Sequence, residues 1–187
     1  FFITVNGGDA RSRGIELSAD AWIGDRLRAS AAYAFNRAEL ASFVVGLVDG
    51  VADGFKGDRL PGTPEHQGAL RLDYAAPLSR HWNVGLGYSL ATTSDIYTKV
   101  GRRNGGEALP GHAIHNVAVT FRARDNWSIR VFVDNLLDKF AETNTRTDPG
   151  FIRNVGVHPL RSYFRNVAAP RRYGFEVRYD FGEDRSP

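Results

Sequence analysis

The chain contains no cysteine. That excludes a disulfide framework, a thiolate metal site and a cysteine nucleophile. It also lacks long hydrophobic runs. Nothing approaches the ~18 consecutive apolar residues that a membrane-spanning helix requires, and the mean hydropathy is −0.33. A β-barrel escapes that test, because alternating apolar and polar residues keep the average low. Charge of one sign is scarce too: 24 Lys and Arg face 21 Asp and Glu. The arginines are scattered, without the dense stripe that tracks phosphates, so no nucleic-acid partner is expected. No G-x-S-x-G, phosphate loop or metalloprotease motif is present, and no enzyme is expected. No stretch carries a convincing helical period.

What is present is a period of two. In "RRYGFEVRYDF", Tyr173, Phe175, Val177, Tyr179 and Phe181 alternate with Arg172, Gly174, Glu176, Arg178 and Asp180. The same holds for Ile15–Ile23, Leu27–Asn36, Leu70–Tyr74, Trp82–Leu90, Val117–Phe121 and Trp127–Asp134. Trp22 and Phe132 break the pattern, and Trp22 reads as a bulge. With "FFITV" at the start, the alternation predicts about eight half-buried antiparallel strands. Most run roughly 9–12 residues, the length of a tilted bilayer-spanning strand. The chain opens on Phe1 inside such a strand, without a visible signal peptide, as expected of a segment of a longer protein, a pattern that a processed mature form shares.

The connections alternate in length. Gly24–Asp25, Ala76–Arg80 and Arg124–Asn126 carry tight-turn residues. Ala41–Pro64, Thr98–Pro110 and Leu137–Pro170 read as long loops, and "NGGDARS" falls on their side. Short turns at one end and long loops at the other fit an outer-membrane barrel. With the tight turns at the periplasmic end, the apolar-parity residues nearest them are Tyr74, Trp82, Phe121, Trp127, Tyr179 and Phe181. All are aromatic, as in an interfacial girdle. Two other architectures share the alternation. One is a soluble β-sandwich binding module. The other is a complete small barrel of about eight strands, structural or adhesive, with its interior filled by side chains.

"VFVDNLLDKF" (Val131–Phe140), followed after a long loop by "APRRYGFEVRYDF" (Ala169–Phe181), resembles the C-terminal end of TonB-dependent outer-membrane receptors. "RLPGTPEHQGALRLDY", "ALPGHAIHNVAVTF" and "SRGIELSADAWIGDRLRASAAYAFNRAEL" are similar to that family's strands and hairpins. The resemblance implies an all-β, up-and-down antiparallel barrel segment. Residues 1–181 would be the C-terminal part of a barrel of about 22 strands, and 182–187 a tail beyond the usual aromatic end. An N-terminal plug domain and a TonB-contacting box are expected upstream. The implied function is TonB-dependent uptake of a scarce nutrient, a ferric siderophore above all, in the Gram-negative outer membrane. The implied partners are outer-membrane lipid, the plug, the TonB complex and the barrel-assembly machinery. For the last of these, Tyr173, Phe175, Val177, Tyr179 and Phe181 are the expected signal.

Ligand contact is expected from the long loops, where Arg forks suit anionic oxygens and rings offer stacking area. The candidates are Arg102, Arg103, Arg146, Arg153, His158, Arg161 and Tyr163. His112 and His115 are three apart on a strand, so they fall on opposite faces and are poor co-ligands; no metal or cofactor is expected. Glu16, Asp20, Arg28, Arg71, Asp73, Arg130, Asp134, Glu176, Arg178 and Asp180 are expected to form cross-strand ion pairs and plug contacts. Asn135 and Asp138 bracket a chain reversal, where their side chains can bond backbone amides.

Overall fold

The alternating segments form one meander. In the computed structural model the described residues are 7–48, 52–124, 126–155 and 158–181; for residues 145–164 only the backbone is described. The strands, in chain order, are β1 (Ala10–Ile23), β2 (Leu27–Leu40), β3 (Val44–Val48), β4 (Ala52–Gly54), β5 (His66–Pro77), β6 (Trp82–Thr93), β7 (Ile96–Tyr97), β8 (Ala108–Leu109), β9 (His112–Ala123), β10 (Trp127–Asp134), β11 (Glu142–Val155), β12 (His158–Val167) and β13 (Arg172–Tyr179). Seven of them build a single antiparallel sheet in the order β1-β2-β5-β6-β9-β10-β13. The eighth expected strand, "FFITV", lies outside the described residues. The sheet is an open strip; among the described residues β1 and β13 do not pair with each other.

The register carries side-chain parity across every strand. One line of partners reads Ala21, Ala29, Leu72, Tyr88, Val117, Val133, Tyr173. A line on the opposite face reads Trp22, Arg28, Asp73, Gly87, Ala118, Phe132, Gly174. Leu86, Val119 and Val177 therefore share the apolar face, and Arg71 and Glu176 lie on the other. Leu86 and Val177 are 46% and 51% exposed, so no dry protein core covers them.

The structure corrects four expectations. Trp22 is not a bulge: β1 and β2 pair without interruption from Ala10↔Leu40 to Ile23↔Leu27, with Trp22 opposite Arg28 on the polar face. "NGGDARS" is not all connection, since β1 already begins at Ala10. β1 and β2 run to 14 residues, longer than expected. The long loops are not structureless, because each folds back as a ribbon: β3–β4, β7–β8 and β11–β12. Phe132, the other anomaly, fits the polar face because its partner is Gly174. A Cβ on Gly174 would stand 2.8 Å from Phe132 Cζ.

Among the described residues, the buried side chains lie at the long-loop end. They are Ala38, Leu40, Val48, Leu109 and Ala141, with Glu39 and Asn135. Ala38 and Leu40 have polar-face parity, and ribbon β3–β4 folds across them. Gly54 sits where a Cβ would come within 2.6 Å of Leu40 Cδ1, so any larger residue there requires Leu40 to shift. The ribbon thus covers the long-loop end of β2 on the polar face. Burying Leu40 this fully contributes about 2 kcal/mol.

Candidate functional site

The long-loop end, or mouth, is braced by arginines from three loops. The turn at Val100–Arg102 reverses the chain between β7 and β8, with Arg102 and Asn104 at positive φ. It presents Arg103 to the neighbouring loop. Arg103 Nε and Nη2 donate to Asp58 Oδ2 and Oδ1 at 2.5 and 3.0 Å. The guanidinium also stacks over Phe55, 4.3 Å from the ring centre. Phe55 N–H donates to the same Asp58 carboxylate at 2.8 Å. The Arg103 guanidinium foremost, with that backbone bond, holds the Asp58 carboxyl below the usual carboxylate range. Arg59 makes a second brace: Nη1 donates to Asp95 Oδ2 at 3.0 Å, Nη2 donates to the Asp95 and Thr63 carbonyls, and the guanidinium lies 4.6 Å over Tyr97. A third is Arg165, held between Glu142 at 2.6 Å and Glu107 at 3.1 Å.

This separates Arg102 and Arg103, two of the loop arginines picked from sequence. Arg103 is spent on Asp58 and positions the loop. Arg102 is exposed, makes no ion pair among the described residues, and lies 5.7 Å from the Tyr97 ring centre. Of these two, Arg102 is the one whose guanidinium is free of an ion pair among the described residues. The backbones of Arg146, Arg153, His158, Arg161 and Tyr163 lie on β11 and β12; their side chains fall outside the described residues. Sequence reasoning missed Phe55, Asp58, Arg59, Asp95 and Tyr97. Their contacts cross gaps of up to 45 residues, and no local pattern marks them.

The polar wall carries the expected charges in a mixed pattern. Arg130 with Glu176 (4.0 Å) and Arg172 with Asp134 (2.8 Å) are directly cross-strand. Arg28 reaches Asp20 diagonally at 2.8 Å. Arg71 with Asp73 (2.6 Å) and Arg178 with Asp180 (3.8 Å) instead pair along their own strands. A shallow trough runs over this face, lined by Arg71, Asp73, Arg130, Glu176 and Arg178 among others. His112 and His115 face opposite sides, being opposite Thr93 and Leu90. Among the described residues no group of three or more His, Asp or Glu could hold a metal.

On the apolar face, Trp82 and Trp127 open β6 and β10, and Tyr179 closes β13. Phe121 lies two residues from the end of β9, Tyr74 three from the end of β5, and Phe181 two beyond β13. Trp127 packs on Tyr179 (4.8 Å between centres) and Tyr179 on Phe181 (4.7 Å). Tyr173, Phe175 and Val177 are more than half exposed on that face. A second aromatic group, which sequence reasoning missed, sits toward the loop end of the same face. Tyr33 is hydrogen-bonded to His66, and Tyr88 to His115.

The chain reversal after β10 explains why two distant motifs occur together. Asn135 Oδ1 accepts from Lys139 N–H at 2.8 Å, and its Nδ2 donates to the carbonyls of Lys139 and Ala169 at 3.0 Å each. Asp138 Oδ1 accepts from Arg171 N–H at 2.9 Å. The N-L-L-D-K turn thus clamps the start of the last strand.

A long-stranded antiparallel meander with one continuous apolar face, one charged face, aromatic rows near the tight turns and ribboned loops at the far end is the wall of an outer-membrane β-barrel. The family described as "TonB dependent receptor-like, beta-barrel" matches residues 1–136, and the chain belongs to it. The chain is 24% identical over 180 residues to the ferric-pyoverdine M114 receptor PbuA of Pseudomonas sp. (strain M114), covering 95% of this chain and 19% of that receptor. Its fold is similar to BauA, the ferric preacinetobactin receptor of Acinetobacter baumannii: TM-score 0.70, 20% identity, 95% of this chain and 23% of that one. It is likewise similar to the ferric yersiniabactin uptake receptor FyuA of Yersinia pestis: TM-score 0.69, 18% identity, 92% of this chain and 24% of that one. The chain thus spans about a fifth to a quarter of the length of these relatives. They are receptors, not enzymes, and this chain is an outer-membrane protein.

Proposed function

We propose that this chain is the C-terminal part of the barrel of a TonB-dependent receptor that imports a ferric siderophore. Residues 1–181 form wall and loops, and 182–187 a tail. The rest of the protein carries the plug and the TonB-contacting box. The observation that carries this reading is one wall with an apolar face, a charged face and an arginine- and aromatic-bearing mouth. Likeness to receptors named for ferric pyoverdine, yersiniabactin and preacinetobactin supports it.

Each part has a physical task. The aromatics Tyr74, Trp82, Phe121, Trp127, Tyr179 and Phe181 anchor the wall at the periplasmic headgroup level. Tyr173, Phe175, Val177, Tyr179 and Phe181 serve as the assembly signal on the last strand. Arg102, with Arg146, Arg153, His158, Arg161 and Tyr163, meets the ligand's anionic oxygens and rings, while Arg103 fixes the loop that carries Arg102. The charged wall faces the plug, which the TonB complex displaces with energy from the inner membrane.

The test uses the full-length receptor and a strain lacking it. Growth on a panel of single ferric siderophores as the iron source should fail for one of them and return with the intact gene. The purified receptor should bind that siderophore, and Arg102→Ala should weaken binding several-fold. Growth on every siderophore tested, with no binding to the purified receptor, would refute the reading.

A further inference from the structure

The apolar face ends, toward the long loops, in three arginines around one carboxylate. Arg11, Arg13 and Arg37 continue the odd-numbered parity of Ile15, Leu17, Tyr33 and Phe35, and the β1–β2 register reaches them without a break. They therefore point to the lipid side, not into the trough. Arg13 stands directly opposite Arg37, and the next pair on that face toward the tight turns is Ile15↔Phe35. Like charges placed directly opposite repel and destabilise a sheet. Here they sit at the rim of the apolar band.

Glu39 is the acid in the cluster. Its Oε1 accepts from Arg11 Nε and Nη2 at 3.0 and 2.6 Å and lies 3.5 Å from Arg13 Nη2; its Oε2 accepts from Arg37 Nε at 3.0 Å. The carboxylate is 5% exposed, while the three arginines are 46%, 63% and 56% exposed. Asp9, the next carboxylate on this parity, makes no ion pair with any described residue. Arg59, bridged to Glu39 through the backbone, turns away to Asp95. Three guanidiniums and one acid leave a net charge of two, with unused N–H donors facing outward. Below them, Ile15 and Leu17 are about 60% exposed, and Tyr33 and His66 hold each other at 2.7 Å.

We propose that Arg11, Arg13 and Arg37 form a seat for the phosphate-bearing headgroup of an outer-leaflet lipid, whose acyl chains lie along Ile15, Leu17 and Tyr33. Guanidinium forks match phosphate oxygens bidentately, and basic clusters at membrane depth take anionic headgroups. The position decides for lipid over a soluble anion: the cluster shares a face with the bilayer-facing side chains and is turned from the lumen. Occupation relieves the Arg13–Arg37 repulsion and fixes the wall at the outer headgroup level.

The test uses the full-length receptor, stripped of lipid in non-ionic detergent and titrated with bis-phosphorylated lipid A by native mass spectrometry. The same lipid with its phosphates removed, and inorganic phosphate, are the comparison probes. The wild-type receptor should retain the phosphorylated lipid, bind the dephosphorylated one at least tenfold more weakly, and not release lipid to millimolar inorganic phosphate. Arg13→Gln with Arg37→Gln leaves the Arg11–Glu39 bonds in place and should lower lipid affinity roughly tenfold or more, with heat-modifiable gel mobility confirming the fold. Equal binding of the two lipids by the wild-type receptor, or displacement by inorganic phosphate, overturns the proposal. So does unchanged affinity in the folded double variant. The wild-type lipid comparison decides even if that variant does not fold, and neither result bears on siderophore uptake.

Discussion

Replacing Asn135 by alanine removes three hydrogen bonds from one side chain that is 3% exposed as a residue. Each such bond contributes about 1 kcal/mol net. Asn135 also holds φ of 49°, the left-handed region, which asparagine tolerates and alanine does not, at about 1 kcal/mol. The expected loss for Asn135→Ala is therefore about 4 kcal/mol. Two companions separate the terms. Asn135→Gly removes the bonds but not the backbone fit and should cost about 3 kcal/mol. Asn135→Asp keeps the acceptor for Lys139 N–H but turns an oxygen toward the carbonyls of Lys139 and Ala169; it should cost at least as much as alanine. The assay is guanidinium unfolding of the full-length receptor in lipid vesicles, read by tryptophan fluorescence, with hydrogen exchange at the Arg171 amide as the local probe. If all three variants stay within about 0.5 kcal/mol of wild type, or if the aspartate variant matches it, the clamp between turn and last strand carries no weight and the reasoning fails.

Gly174→Val should destabilise by about 1–3 kcal/mol through overpacking against Phe132, and Phe132→Ala should suppress most of that loss in the double variant. Brominated lipid should quench Trp82 and Trp127, which lie on the apolar face, and spare Trp22; equal quenching of Trp22, read by difference with Trp22→Phe, contradicts the face assignment. Asp58→Asn should open the loop brace, so that trypsin cuts at Lys56 and Arg59 far faster at neutral pH. The Asp58 carboxyl is depressed when folded. Its stabilisation is therefore complete above the ordinary carboxylate range near pH 4 and is lost only as pH falls through the lower folded value. A spin-label distance between loops 52–58 and 94–111 should be the same at pH 8 and pH 5; widening at pH 5 refutes the assignment.

Parity was legible because lipid on one side and water on the other impose a period of two on every wall strand. That one rule placed Leu86 and Arg71 on opposite faces without any contact being known. What alternation cannot reveal is a partner. Phe132 looked misplaced until the register set it against Gly174, 42 residues later. Trp22 looked like a bulge because its neighbours are apolar, yet its parity alone already put it with Asp20. The Asn135–Asp138 reversal was readable from residue type; its grip on Ala169 and Arg171 was not, since the bonds span 34 and 33 residues. The short loop ribbons β3–β4 and β7–β8 escaped notice for a different reason. β3 and β4 are 5 and 3 residues long with a register shift between them, too short for a period to emerge. The outward arginines escaped because Arg11 was assigned to a connection, and Arg13 and Arg37 fall just beyond the alternating segments Ile15–Ile23 and Leu27–Asn36.

The placement of the buried residues explains how such a wall holds together. Those described cluster at the mouth, around Leu40, Leu109 and Asn135; along the wall both faces are open. Ordering each residue costs about 1–2 kcal/mol, and exposed ladder hydrogen bonds offset only part of that. An isolated sheet of this kind in water has too little apolar burial to make up the difference. Covered by acyl chains, each Leu, Val or Phe of the apolar row contributes about 1.5–3 kcal/mol. The hydrophobic core of this chain is therefore the bilayer itself. That is why the face turned from lipid can carry Ala32, Ala69, Gly85, Gly87, Ala118 and Gly174, side chains too small to pack a protein interior of their own.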